Sequence, residues 1–235
     1  MVVIFRGTGV TGQVGATTRN TFLTDMIVLP VKLNSLSAKA RSELPATQQK
    51  ARVLDGFQRA YSHLRPRVMQ ALNSDAARGK PVFVIGHSLG GAMASLLAMD
   101  VALNMKPNFA SLDVYTSGSP RVGNADFVRL YDRFVPNSIH IAIDGDPVPL
   151  IPRMNDVHHG KLLILAKDGQ VVHPHTLSTN VELLNFGSHH KQPNYVRAVR
   201  DFVNGHIDHH WLKDRVDGWV TDSRRVERDR TEQDL

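Results

Sequence analysis

The pentapeptide Gly-His-Ser-Leu-Gly at residues 86–90 is the part of the sequence that most directly indicates chemistry. An apolar run at residues 82–85 precedes it and predicts a buried strand, and the apolar residues 89–105 predict a helix after it. A serine in such a turn is held above the sheet, and the next amide faces the substrate carbonyl. We therefore predict that Ser88 is a nucleophile and that Leu89 donates to an oxyanion, with a plain strand-to-helix turn as the alternative.

A serine nucleophile needs a general base and a carboxylate that orients this base. In folds with this turn the three residues follow in the chain order serine, carboxylate, histidine. Asp144 and Asp146 follow a predicted strand at residues 139–143, and we favour Asp146 because neighbouring prolines stiffen its loop. His189 and His190 precede the last predicted helix, in the kind of loop that often carries catalytic side chains, and either can be the base.

Short apolar runs alternate with helical periodicity along the chain, which is typical of α/β units around a mostly parallel sheet. Strands are predicted at residues 2–5, 82–85, 114–116 and 139–143, with a hairpin at 162–172 around an Asp-Gly turn. Helices are predicted from Phe57, with a kink at Pro66, from Leu89 and from near Pro193. We predict one α/β domain over residues 1–221, its central sheet flanked by helices, and a charged tail at 222–235.

The composition excludes several classes of protein. No apolar run reaches the roughly 18 residues of a membrane-spanning helix. The formal net charge is +6, but the basic residues are scattered and only 6% of residues are aromatic. This pattern argues against nucleic acid and favours weak attraction to anionic lipid surfaces. Arg6 and the neighbouring glycines interrupt the N-terminus before the apolar stretch of a signal peptide, which favours an intracellular protein.

Cofactor chemistry has little support in the sequence. Cysteine is absent, which excludes disulfides and thiolate metal sites. Histidines at metal-compatible spacing occur as His173-Pro-His175 and as His206, His209 and His210. No obvious acidic partner accompanies them, so we interpret them as solvated surface residues and predict neither a metal nor another cofactor.

Ordered blocks along residues 2–204 resemble the class 3 lipases, the fungal-lipase branch of the α/β-hydrolases. The block GHSLGGA (86–92) is nearly identical to the nucleophile signature of that family. Two blocks are similar to its Gly-x-Pro-Arg-Val-Gly-Asn turn and to the stretch that carries its aspartate, namely GSPRVGN (118–124) and DPVPLIP (146–152). The block HKQPNYV (190–196) resembles the one that carries its histidine. Other matching blocks are VIFRGT (3–8), FLTD (22–25), GFQRAY (56–61) and HHGKLLIL (158–165).

The resemblance implies an α/β-hydrolase fold and ester hydrolysis through an acyl-enzyme. By the matched blocks, Ser88 is the nucleophile, Asp146 the orienting carboxylate and His190 the base. Thr8 matches the oxyanion residue of the family, so its amide and that of Leu89 would form the oxyanion hole.

The chain also departs from the family pattern. Sequence upstream of residue 2 is missing relative to the family, Leu54 stands where a histidine is common, and His189 is an alternative base beside His190. The segment 9–21 lies where the family has an amphipathic lid helix. Its glycines and threonines disfavour a helix, so we expect a mobile loop there.

The leading interpretation is a carboxylic ester hydrolase that acts on acylglycerols or related lipid esters. Its partners would be a lipid or small ester substrate and, transiently, a lipid surface. A phospholipase-type acyl hydrolase, a serine peptidase or amidase with the same triad, and a non-catalytic lipase-like binding module are the alternatives. Non-catalytic modules usually lose a triad member, whereas this chain keeps a candidate for each.

Overall fold

The computed structural model of the 235-residue chain describes residues 1–7, 30–33, 50–105, 108–152, 158–172 and 189–205. Several predictions fall outside these residues: Thr8, the lid-position segment 9–21, the histidines at 173, 175, 206, 209 and 210, and the tail at 222–235. The chain divides into two compact units. The first comprises Met1–His140 and Val148–Gly160, and the second comprises Ile141–Pro147 and Lys161–Leu235.

The described elements alternate between strands and helices. In chain order they are β1 (Val2–Phe5), β2 (Pro30–Lys32), β3 (Arg52–Leu54), α1 (Asp55–Leu72), β4 (Pro81–His87), α2 (Leu89–Asn104), β5 (Ser111–Ser117), α3 (Ala125–Phe134), β6 (Ser138–Ile143), a short 3₁₀ turn (Val148–Leu150), β7 (Lys161–Leu165) and α4 (Gln192–Gly205). The strands predicted at residues 2–5, 82–85, 114–116 and 139–143 are therefore confirmed. The helices predicted from residues 57, 89 and 193 are confirmed as well, and α1 continues through Pro66.

Parallel strands position the candidate nucleophile in the first unit. Strand β4 pairs in parallel with β1 on one side and with β5 on the other, and the beginning of β6 follows β5. Phe5 lies opposite Gly86, and His87 lies opposite Ser117. The carboxyl ends of β1, β4 and β5 therefore lie side by side, and Ser88 follows at this edge. Strands β2 and β3 form a separate antiparallel ribbon.

Helix α2 is the centre of the first unit. Its residues from 90 to 101 are all buried, and it packs against β1, β4 and β5 as well as α1 and α3. Asp100 is the one charged residue in this helix. It accepts hydrogen bonds from the Tyr61 hydroxyl at 2.6 Å and from Arg65 Nε at 2.5 Å. These bonds compensate the desolvation of the carboxylate, which is why a charge is tolerated in this apolar helix.

The second unit contains the end of β6, strand β7 and helix α4. The amide of Asp144, just after β6, donates to Leu165 O of β7 at 2.9 Å. The predicted hairpin after β7 is confirmed, because Leu165 and Val171 form an antiparallel bridge around a turn with Gly169 at φ +83°. A Cβ on Gly169 would lie 2.4 Å from the Phe202 amide nitrogen of α4, so only glycine lets this turn pack against the helix.

Within the described parts of the chain, none of the helices combines the length and the apolar character that crossing a membrane requires.

Candidate active site

Ser88 occupies a strained turn between β4 and α2. Its backbone has φ 57° and ψ −129°, and it is the only non-glycine residue with a positive φ among the described residues. Such a conformation costs of order 1–3 kcal/mol and persists only where the surroundings enforce it. The Ser88 amide donates to Ser117 O and the Gly91 amide donates to Ser88 O, each at 2.9 Å. Strand β5 and the first turn of α2 thus hold both sides of the serine.

The glycines around Ser88 permit close backbone approaches. A Cβ on Gly86 would lie 2.1 Å from Gly90 O, and a Cβ on Gly90 would lie 2.2 Å from Phe5 O. Both distances are far below van der Waals contact, so any larger residue would push the strand-to-helix turn away from β1 and β4. The two glycines of the G-x-S-x-G pattern are thus required by packing as well as by the turn itself.

The segment that leads to Thr8 lies against the nucleophile. A Cβ on Gly7 would lie 2.8 Å from His87 O and 3.2 Å from Ser88 Cβ. Leu89 is the first residue of α2, so its amide is one of those that the helix leaves without an intrahelical acceptor. Leu89 and Gly7 thus border Ser88. Thr8 itself lies outside the described residues, so the oxyanion hole stays a prediction.

Asp146 and His190 form a hydrogen-bonded pair in the second unit. His190 Nδ1 lies 2.8 Å from Asp146 Oδ2, and Asp146 is only 3% exposed. With the carboxylate accepting from Nδ1–H, the lone pair of His190 is on Nε2, which is the nitrogen that would take a proton from a nucleophile. The pair has the geometry of an acid–base couple, and it belongs to the unit that does not contain Ser88.

Tyr195 adds a second hydrogen bond to the same carboxylate oxygen. Its hydroxyl lies 2.5 Å from Asp146 Oδ2 and accepts from the Ile143 amide at 3.3 Å. Burial, followed by the adjacent charge of Asp146, raises the pKa of Tyr195 well above its usual value. The hydroxyl therefore stays protonated, donates to Asp146 and fixes the carboxylate that orients His190.

The two alternatives left open by the sequence have other surroundings. The Asp144 amide bonds to β7, and Asp144 Oδ1 is buried without a hydrogen-bond partner in the part of the chain that the structure describes. The His189 ring lies against Gly145, and its carbonyl is 3.5 Å from the Asn194 side-chain amide. The hydrogen bond between imidazole and carboxylate is made by His190 and Asp146, which favours that pair over Asp144 and His189.

Comparison with known proteins assigns a family. The family described as Lipase (class 3) matches residues 2–156, about two thirds of the chain. The chain belongs to the class 3 lipase family. A Caenorhabditis elegans lipase is 42% identical over 85 residues, 36% of this chain and 24% of the relative. The secreted mono- and diacylglycerol lipase LIP1 of Malassezia globosa is 38% identical over 104 residues, 43% of this chain and 34% of the relative. The matched part of this chain therefore spans only about a quarter to a third of the length of these two relatives.

A solved structure supports the fold of this member of the family. A triacylglycerol lipase whose catalytic centre is described as a serine protease triad superposes with a TM-score of 0.50 at 25% identity. The match covers 64% of this chain and 54% of that one. The prediction of an α/β-hydrolase fold with a mainly parallel central sheet is confirmed.

The sequence does not predict the contact of Tyr195 with Asp146, and its role can be tested with a matched control. Tyr195→Phe removes one donor from the Asp146 carboxylate, so we expect kcat to fall about tenfold and stability to fall by about 1–2 kcal/mol. Tyr61→Phe removes an equivalent tyrosine–aspartate bond, at 2.6 Å to Asp100, away from the acid–base pair. It should cost similar stability and leave kcat unchanged, as measured by ester hydrolysis and urea unfolding. Equal losses of kcat in both variants would contradict a role of Tyr195 in positioning Asp146.

Proposed function

We propose that this chain is a serine carboxylic ester hydrolase that cleaves acylglycerols through a covalent acyl-enzyme on Ser88. The observation that carries the proposal is the strained turn at Ser88, because a positive φ at a non-glycine residue is retained where function needs it. The Asp146–His190 pair supplies the base that a serine hydroxyl requires.

The proposed reaction has two steps. Ser88 Oγ attacks the ester carbonyl as its proton passes to His190 Nε2, and the Leu89 amide stabilises the oxyanion of the tetrahedral intermediate. His190 then protonates the departing alcohol, which leaves the acyl group on Ser88. In the second step His190 takes a proton from water, the hydroxide attacks the acyl carbonyl, and Ser88 leaves with a proton from His190. Asp146 stays ionised throughout and stabilises the imidazolium, while Tyr195 holds the carboxylate in place.

The names of the relatives suggest the substrate class. LIP1 of Malassezia globosa is a mono- and diacylglycerol lipase, and the solved neighbour is a triacylglycerol lipase. We infer that this chain acts on acylglycerols in general, and that its net charge of +6 favours transient contact with anionic lipid surfaces.

The substrate class can be tested by measuring hydrolysis of matched mono-, di- and triacylglycerols, a phospholipid and a soluble ester, each with Ser88→Ala as control. Activity on the phospholipid alone would favour a phospholipase instead, and no activity on any ester would favour a non-catalytic binding module.

The composition of the lid-position segment 9–21 leads to a separate prediction about activation at a lipid interface. Because this segment has three glycines and few apolar residues, we expect no lid that opens at an interface. The rate with tributyrin should then rise smoothly as its concentration passes the solubility limit, and dissolved short-chain esters should be good substrates. A steep rise at that limit, together with preference for a long-chain emulsion, would show that the segment works as an interfacial lid.

A further inference from the structure

Three histidines of the first unit form a cluster that includes neither Asp146 nor His190. His140 lies in β6, and His158 and His159 lie just before β7. The ring centroid of His140 is 4.4 Å from that of His158 and 4.7 Å from that of His159. His140 is 2% exposed and His159 is 1% exposed. His158 is half-buried. Two buried imidazoles beside a half-buried one need a physical reason, since a buried polar group that lacks a partner is costly.

Two of these imidazoles have their tautomers fixed by neighbouring groups. His158 Nε2 lies 2.8 Å from Pro149 O, which can only accept, so Nε2 carries the proton and Nδ1 the lone pair. His159 Nε2 lies 2.7 Å from Ser95 Oγ, whose own proton goes to Gly91 O at 3.0 Å. Ser95 therefore accepts from His159 Nε2–H, and Nδ1 of His159 also carries a lone pair. Each ring has the outer hydrogen bond that metal-binding histidines ordinarily have.

The lone pair on Nδ1 of His158 accepts no hydrogen bond within the described structure. Nδ1 of His158 is buried and has no hydrogen-bond partner among the described residues. The Thr116 hydroxyl of β5 is hydrogen-bonded to Nδ1 of His140 and lies 3.5 Å from Nε2 of the same ring. All three rings thus have an outer partner, and the unsatisfied acceptor of His158 belongs to a cluster of three imidazoles.

The spacing of the ring nitrogens suits a metal ion. One nitrogen from each histidine lies within 4.8 Å of the other two. A point at most about 2.8 Å from all three therefore exists, against about 2.0–2.1 Å for a zinc–imidazole bond. Closing that gap requires each ring to move by less than about 1 Å, which is within the range of side-chain adjustment on metal binding.

The charge state of the cluster favours metal binding in one respect and opposes it in another. Burial, followed by the charge of Arg121, lowers the pKa of His158 to about 4, and burial lowers the pKa of His140 and His159 well below the usual value. Neutral imidazoles are the ligand form. The Arg121 charge opposes a dication, so we expect weaker affinity than that of an isolated three-histidine site.

We propose that His140, His158 and His159 bind a divalent transition metal, with zinc as the expected ion and a fourth position left for water. Imidazole nitrogen is a ligand that zinc prefers, and three histidines plus water is an established coordination set for it. The ion would tie β6 to the turn before β7, and through Ser95 and Thr116 also to α2 and β5. Its role would be to stabilise the first unit rather than to take part in ester hydrolysis.

Direct metal binding to the full chain tests the proposal without relying on activity. After dialysis against a chelator, zinc should bind at one equivalent per chain and raise Tm by roughly 5 °C or more when it is well above its Kd. Cobalt(II) in the same site should give the intense visible absorption of low-coordinate cobalt–imidazole, and zinc should displace it. Failure of the wild-type chain to bind cobalt or zinc stoichiometrically would overturn the proposal, whatever the variants do.

Three variants separate this cluster from other histidines. His158→Gln should abolish the cobalt spectrum and the zinc-dependent rise in Tm. His63→Gln, at a histidine on α1 outside the cluster, should retain both. The double variant His209→Gln and His210→Gln should retain both as well. If the double variant loses metal binding and His158→Gln keeps it, the ion binds at His209 and His210 and the proposal is wrong.

Discussion

Ser88→Ala is expected to lower kcat for ester hydrolysis by roughly 10⁴-fold or more, because no other group in the proposed site can form the acyl-enzyme. The fold should be unaffected, since alanine keeps the Cβ and the backbone hydrogen bonds of residue 88 do not involve the hydroxyl. The activity and the unfolding midpoint of the variant, measured side by side, check both statements.

Covalent labelling distinguishes a nucleophile from a serine that only supports the turn. A fluorophosphonate probe should modify the wild-type chain at Ser88, as located by peptide mass spectrometry, and should not modify Ser88→Ala. Ser119→Ala is a suitable control, because Ser119 is buried and its hydroxyl donates to Pro120 O. It should retain both label and activity. Label on another serine of the folded protein would disprove the assignment of Ser88.

His190→Ala is expected to lower kcat/KM by at least about 10³-fold, and Asp146→Asn by up to about 10⁴-fold, since each removes the oriented base. The loss of kcat/KM in His189→Ala should be far smaller, because the residue that is hydrogen-bonded to Asp146 is His190. The adjacent histidine is a matched control, with the same residue type one position away. The test is kcat/KM on a soluble ester for all three variants, together with fluorophosphonate labelling rates, which follow the activation of Ser88. If His189→Ala shows the larger loss, the base has been assigned to the wrong histidine.

The parts of the fold that the sequence predicts well are those with a strong local pattern. The run at residues 82–85 and the apolar helix after Ser88 are buried on all sides, so hydrophobicity alone identifies them. The apolar pattern does not include the ends of β4, because Pro81 and His87 are not apolar, although both pair with β5. Strands β2 and β3 have only three residues each, too few to show a period, and they depend on pairing with each other.

Helix α3 has a recognisable sequence signal at its N-terminus. Asn124 precedes it, and its side-chain oxygen accepts from the Phe127 amide at 3.0 Å, as an N-cap does. Phe127, Val128, Leu130 and Tyr131 then form its buried face. An asparagine followed by apolar residues at helical spacing would have predicted this helix from the sequence.

The site shows where local pattern stops being informative. The order of serine, aspartate and histidine restricts the candidates to a few residues, but it does not distinguish His189 from His190. The loop conformation does, since it brings His190 Nδ1 to Asp146. The cluster of His140, His158 and His159 joins residues far apart in sequence. It arises because β6 and the turn before β7 lie next to each other, so metal-type spacing along the chain, as at His173 and His175, cannot find it.

The positive φ of Ser88 has a consequence for how this sequence could evolve. Glycine adopts φ 57° without steric cost, whereas alanine does not. The free energy of unfolding of Ser88→Gly, measured in urea, should therefore be about 1 kcal/mol higher than that of Ser88→Ala. Equal stability of the two variants would mean that the turn is not strained. While hydrolysis is under selection, the chain retains a less stable residue at this position. A descendant that lost its activity would gain stability from glycine at position 88. In a lineage that has become a binding module, we therefore expect glycine to replace this serine before the buried core residues are substituted.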